Sequence, residues 1–298
     1  MFHYSRFSIW IIFLLLIAAC RAEPSPSQTN TPPSNSSTPL ATNTPFQPSP
    51  TPLPLAASVN DEPLILSSFQ KELSRYTAAM GREPSPEETR QVLDSMIDDL
   101  LLSQGAKEKG FTATNDLIRQ RIDDLIKRLG SPEALQSWMA TNGYSEIDFR
   151  NDLAREVEAA WMRDQIASEV SKTSEQVHLV QLLFNTQEQA NESLTRLQNG
   201  ANFDIIAGEV DPITGGELGW IPRGYLFYPE LEEAAFQLQP GQYSSIIPTL
   251  VGFHILQVTE RELQHPLSPE ALLLAQKQAV QQWLMGKRSQ SEIQILLP

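Results

Sequence analysis

The chain has 298 residues, 22 of them proline, with a single cysteine and a formal net charge of −14. That length accommodates one large domain or two ordinary ones. The acidity opposes nucleic-acid binding, which needs clustered cations to neutralise phosphates, and one cysteine leaves no disulfide.

At the N-terminus, Arg6 precedes an apolar run from Ile9 to Ala19 that ends Ile17-Ala18-Ala19-Cys20. A positive charge, about a dozen apolar residues and small residues before a cut are features of a secretory signal. The run is shorter than the roughly 20 residues a spanning helix needs. The four-residue string resembles a bacterial lipobox, which implies residues 1–20 as a lipoprotein signal and Cys20 as the lipidated residue. Acyl chains at about 0.8 kcal/mol per buried methylene would then hold the chain on a membrane. The alternative is an uncleaved anchor with an incidental cysteine. Residues 21–56 are rich in Pro, Ser and Thr, with ten prolines between Arg21 and Leu55 and almost no large apolar side chains. Such a composition cannot bury enough surface to fold and reads as a disordered tether, with a reach of up to about 100 Å.

From Val59 to Val170 the pattern is helical throughout. Ser67 and Gln70 suit a capping box ahead of Phe69, Leu73, Tyr76 and Met80. Ser85-Pro86-Glu87-Glu88 gives an N-cap serine, a first-turn proline and a third-position glutamate. It opens a helix with Val92, Leu93, Met96, Ile97, Leu100 and Leu101 on one side, stopped near Gly110. Leu117 to Ile126 mark the next helix, ended by Gly130; Ser131-Pro132 starts a short one, and Ser145 with Asp148 caps a long one. These apolar stripes read first as core.

Residues 176–185 are strand-like. Beyond them come three strings: GGELGWIPRGY (Gly215–Tyr225), PELEEAAFQLQPGQ (Pro229–Gln242) and GFHILQV (Gly252–Val258). In order and spacing these resemble the second half of a parvulin-type peptidyl-prolyl cis/trans isomerase. Ser268-Pro269 then opens a last helix carrying Leu272, Leu273, Ala279, Val280, Trp283 and Leu284. Helices, a parvulin-like segment and one more helix resemble the exported foldases of the PrsA/SurA type. There the last helix packs back on the first ones, and the joined surface cradles unfolded chains. The resemblance implies an α+β fold: a helical SurA-N-like domain (57–172) completed by a C-terminal helix (263–298), with a parvulin-like antiparallel-sheet domain (173–262) inserted.

The reaction so implied is rotation about an X–Pro bond, across a barrier of roughly 18–20 kcal/mol set by amide resonance. It needs no nucleophile, metal or cofactor. It needs an apolar socket for the proline ring, exclusion of water, and polar groups that favour the twisted amide. By resemblance, Leu218, Leu231 and either Leu226 or Phe227 line that socket; the intervening loop is one residue longer than usual and leaves the pair open. Thr249 and His254 match the family's C-terminal pair, although His254 also suits a hydrogen-bonded core histidine. The family's first histidine falls on Gln181. His178 lies an odd number of residues away, on the opposite face of a regular strand, and cannot replace it without a bulge. Asp211 matches the acidic or thiol residue beside the amide, in a shortened loop, and equally suits a turn-former before Pro212. Ser244 and Ser245 have no partners for a hydrolase triad, four scattered histidines make no metal site, and Arg196, Arg223 and Arg261 are too dispersed to select phosphate.

Two functions remain in view. One is a membrane-tethered extracytoplasmic isomerase acting on unfolded or partly folded exported polypeptides. The other, suggested by Gln181 and the short loop, is a non-catalytic holdase with a degenerate parvulin domain.

Overall fold

A computed structural model describes residues 53–297. The signal-like segment, Cys20 and the tether up to residue 52 lie outside the described residues. The first described element departs from the helical expectation. Leu55–Val59 (β1) and Glu62–Ile65 (β2) form an antiparallel hairpin. Asn60 and Asp61 make its turn with φ of 50° and 64°, a left-handed conformation that Asn and Asp tolerate. Helix α1 (Leu66–Met80) follows at once, with Ile65 at its N-cap and no side-chain cap. The Ser67/Gln70 capping box does not form, because the strand delivers the chain straight into the helix and Ser67 already lies in its first turn.

The caps read at Ser85, Ser131 and Ser145 form, and Thr114 adds one that the sequence reading passed over. Ser85 and Glu88 form a reciprocal capping box at α2 (Pro86–Glu108). Thr114 caps α3 (Asn115–Leu129), Ser131 caps α4 (Pro132–Thr141) and Ser145 caps α5 (Glu146–Ser168). Leu93, Ile97, Leu100 and Leu101 of α2 are buried against the β1 alanines and Phe69 of α1. Between α2 and α5 the buried carboxylate of Glu158 accepts from the Ser103 hydroxyl at 2.6 Å and the Ala113 amide at 3.1 Å, and pairs with Lys107. A buried charge is tolerable only when served in this way.

Thr173–Phe184 (β3) begins a four-stranded antiparallel sheet with Glu217–Pro222 (β4), Ile247–Thr249 (β5) and Gly252–Pro266 (β6), in the order β4-β3-β6-β5. Between β3 and β4 lie α6 (Gln187–Gln198) and α7 (Phe203–Val210); α8 (Pro229–Gln237) follows β4. Strand β6 outruns the expected motif and pairs Pro266 with Thr173. Helices α6 and α7 cover the face bearing Val180, Leu182, Phe184 and Ile255. Helix α8 covers the face bearing Val177, Leu179, Leu256 and Val258. Each bulge places its extra residue on a partner strand: Leu218 opposite Leu179/Val180, Thr259 opposite His178/Leu179, and one residue of the Leu263–Gln264 pair opposite Glu175. The alternation of β3 is therefore unbroken.

Helix α9 (Pro269–Gln290), capped by Ser268, runs back along α2 and α5. Trp283 lies over Gly105, so close that a Cβ there would be 2.7 Å from the ring. Arg288 pairs with Asp94 and Asp98, and Lys287 with Glu108. Ile293–Ile295 (β7) then pairs with β1, giving a small sheet in the order β2-β1-β7. Segments more than 230 residues apart thus close one helical body.

Candidate isomerase site

On the α8 face of the sheet, Gln181 and Leu183 of β3 follow the buried Leu179 at every second residue, and Leu183 pairs with His254 of β6. His254 is 3% exposed. Its Nδ1 lies 3.3 Å from Gln181 Oε1 and its Nε2 lies 2.9 Å from the Thr249 hydroxyl. Burial pushes the His254 pKa below 6.5, against a smaller upward pull from Glu230, so the ring is neutral at physiological pH. A carboxamide oxygen only accepts, so Nδ1 carries the proton and Nε2 accepts from Thr249. Thr249 is itself fixed in the β5–β6 turn, its hydroxyl oxygen accepting from the Val251 amide at 3.2 Å. Three residues thus form one neutral relay, in which the glutamine amide is unable to titrate.

The apolar side is built by α8 and the loop before it. Leu231 is 6% exposed and packs with Ala235, Phe236, Leu256 and Val258. Leu218, placed on the face by its bulge, and Leu226 are half-buried against the same cluster. Phe227 is 86% exposed, its ring edge-on to Tyr228 at 5.1 Å. Of the pair left open by the sequence, Leu226 joins the apolar cluster and Phe227 stands at its rim. Sequence reasoning passed over Tyr228, whose ring centre lies 6.5 Å from that of His254. An aromatic residue directly before the helix-opening Pro229 was the available signal.

Asp211 ends α7, and its carboxylate accepts from the Ile213 and Thr214 amides at 3.1 and 3.2 Å and from the Thr214 hydroxyl. These bonds, the Thr214 hydroxyl first, hold its pKa below the ordinary value. The carboxylate's hydrogen bonds all lie within the turn from 211 to 216, which is the turn-former geometry. That turn leads into Gly216, whose carbonyl accepts from the Gln181 amide at 2.8 Å. Asp211 therefore bears on Gln181 through the backbone.

His178 lies on the other face, as its offset requires. Its Nδ1 is 2.8 Å from the Thr259 hydroxyl, its Nε2 3.3 Å from Glu217, and its ring packs edge-on to Trp220, which stacks on His265 at 4.0 Å. Ser244 is buried, donating to the Ser245 carbonyl and accepting from the Leu256 amide. Arg196 pairs with Glu209, and Arg223 and Arg261 both pair with Glu175. Among the described residues no three His, Cys, Asp or Glu side chains are grouped to hold a metal ion.

Residues 6–163 match the family model of the SurA-like N-terminal domain, and residues 184–260 match that of the PPIC-type PPIase domain. The chain belongs to the SurA-like family and carries a PPIC-type peptidyl-prolyl isomerase domain. Among relatives of this SurA-like chain, a parvulin-like PPIase of Rickettsia prowazekii (strain Madrid E) is 23% identical over 225 residues, covering 71% of this chain and 75% of the relative. The foldase protein PrsA of Clostridium acetobutylicum is 22% identical over 239 residues, covering 68% and 72%. The crystal structure of the peptidylprolyl isomerase PrsA from Bacillus cereus aligns with 20% identity and a TM-score of 0.45, over 78% of this chain and 85% of that one.

Proposed function

We propose that this chain catalyses cis/trans isomerisation of X–Pro bonds in unfolded or partly folded exported polypeptides, as a lipid-anchored folding helper outside the cytoplasm. The observation that carries the reading is the juxtaposition of the Gln181–His254–Thr249 relay with the apolar cluster of Leu218, Leu226 and Leu231 on one sheet face. The proline ring would sit against Leu218, Leu226 and Leu231, with Phe227 closing over it. As the amide twists it loses resonance, its nitrogen becomes pyramidal and basic, and its carbonyl regains ketone character. A neutral, fixed relay beside a dry wall favours that state over either planar one, because its dipoles need no reorganisation as rotation proceeds. Asp211 contributes by holding the turn that seats Gln181. Cys20 would carry the lipid, and the residues between it and β1 would link it to the folded part.

The test is proline-limited refolding of a client protein with and without the purified chain. A dose-dependent gain in the slow refolding phase supports catalysis. Unchanged rates together with suppressed client aggregation would leave the holdase in its place.

A further inference from the structure

The loop between β4 and α8, which carries Leu226, Phe227 and Tyr228, is held from two sides at one residue. The amide of Gly224 donates to Glu232 of α8 at 2.7 Å, and its carbonyl accepts from the side-chain amide of Gln278 in α9 at 3.2 Å. Gly224 has a φ of 78°, and a Cβ there would lie 3.4 Å from the Gln278 oxygen, so α9 rests closely on bare backbone. Around this contact the two surfaces do not close. A groove of about 210 Å³ remains, lined by Pro222, Tyr225, Leu267, Ala271 and Leu274 among others. Among the described residues, Gln278 thus supplies a side-chain hydrogen bond across this junction to Gly224, two residues before Leu226.

Resting on the isomerase reading above, we propose that Gln278 is a positioning residue for the reaction: helix α9 of the helical body sets the β4–α8 loop, and with it the apolar wall against which the proline ring binds. With the bond made, Gly224 is pinned between α8 and α9 and the loop keeps one setting. Without it, the groove gives the loop room to shift, and substrate meets a wall that is only part of the time in place. Because α9 also packs on α2 and α5, whatever displaces α9 from that body changes the isomerase site.

The test uses the full chain with Gln278→Glu and Gln278→Lys. Glutamate keeps the size but has no proton to donate to a carbonyl; lysine donates. Both variants are first matched to the parent in thermal midpoint. For a short X–Pro peptide, which engages only the isomerase site, Gln278→Glu should lower kcat/KM about two- to tenfold, the range of one hydrogen bond, chiefly through KM. Gln278→Lys should stay near the parent. Amide exchange of 225–228 should accelerate in Gln278→Glu only. Parental kinetics in Gln278→Glu overturn the proposal, whatever the exchange shows. If the parent itself does not isomerise the peptide, the reading of the site fails, and exchange alone decides whether α9 holds the loop: unchanged exchange overturns that too.

Discussion

No side-chain carbon fits between Gly216 and the backbone carbonyl of Gln181: a Cβ on Gly216 would sit 2.0 Å from that oxygen, and Gly216 has a φ of 72°. The GG turn is thus a spacer cut to the strand that bears the relay. Gly216→Ala meets a backbone clash and a left-handed conformation together, and should destabilise the chain by about 2–4 kcal/mol. Urea unfolding checks this, and loss of isomerisation should exceed the loss of folded protein because Gln181 moves.

Thr249→Val keeps the shape of the side chain but leaves Nε2 of the buried His254 without its donor. A buried polar atom so orphaned costs about 1–3 kcal/mol. The ring should lose its single tautomer, seen in the nitrogen shifts of His254, and kcat/KM should fall by about tenfold or more.

His254 sets the sign of one pH effect. Its folded pKa lies below the 6.5 of the unfolded chain, so above pH 6.5 its contribution to stability is fully present. As pH falls through 6.5 and below, the unfolded chain takes up the proton more readily and that contribution is lost. NMR titration should find the His254 midpoint below 6.5, and the parent should lose more stability on acidification than His254→Asn.

Glu156 of α5 works in the opposite sense. Crowding by the neighbouring helices around this solvent-accessible side chain, then the Asp99 carboxylate, raises its pKa to about 7. Its ionised form is the disfavoured one, so the penalty is complete above pH 7 and gone below the ordinary 4.5. Gln at this position should make the chain more stable at pH 8, with the gain vanishing at pH 4; unfolding curves at the two pH values check it.

Gly105 and Trp283 form a pair whose substitutions should not add. Gly105→Ala alone drives a Cβ into the ring, costing about 1–3 kcal/mol. In a Trp283→Ala background the same change should be neutral or stabilising, since alanine is the better helix former by roughly 1 kcal/mol. A double-mutant cycle by denaturation measures the reversal.

What could be read from the chain follows what is locally encoded. Ser85, Ser131, Ser145 and Ser268 announce helix starts because capping uses neighbours in sequence. His178 was assigned to the far face because strand alternation is a local rule, and the bulges fell on β4 and β6 instead. The β1–β2 hairpin and its pairing with β7 were not legible: Ala56 and Ala57 suit a helix as well as a strand, and their partner lies more than 230 residues away. The choice between Leu226 and Phe227 also needed tertiary structure, since both are large and apolar and only the packing of α8 separates them. Asp211 carried two readings because a carboxylate that caps a turn and one that faces an amide look alike in sequence.

In the function proposed, the sheet face bearing Gln181, His254 and Thr249 turns over prolyl bonds. Exchange NMR on a short Leu-Pro peptide, recorded with and without the full chain, reads that event directly. Exchange between cis and trans resonances should grow with protein concentration and collapse in Thr249→Val. Exchange no faster than in buffer, from a folded chain at saturating concentration, would contradict it.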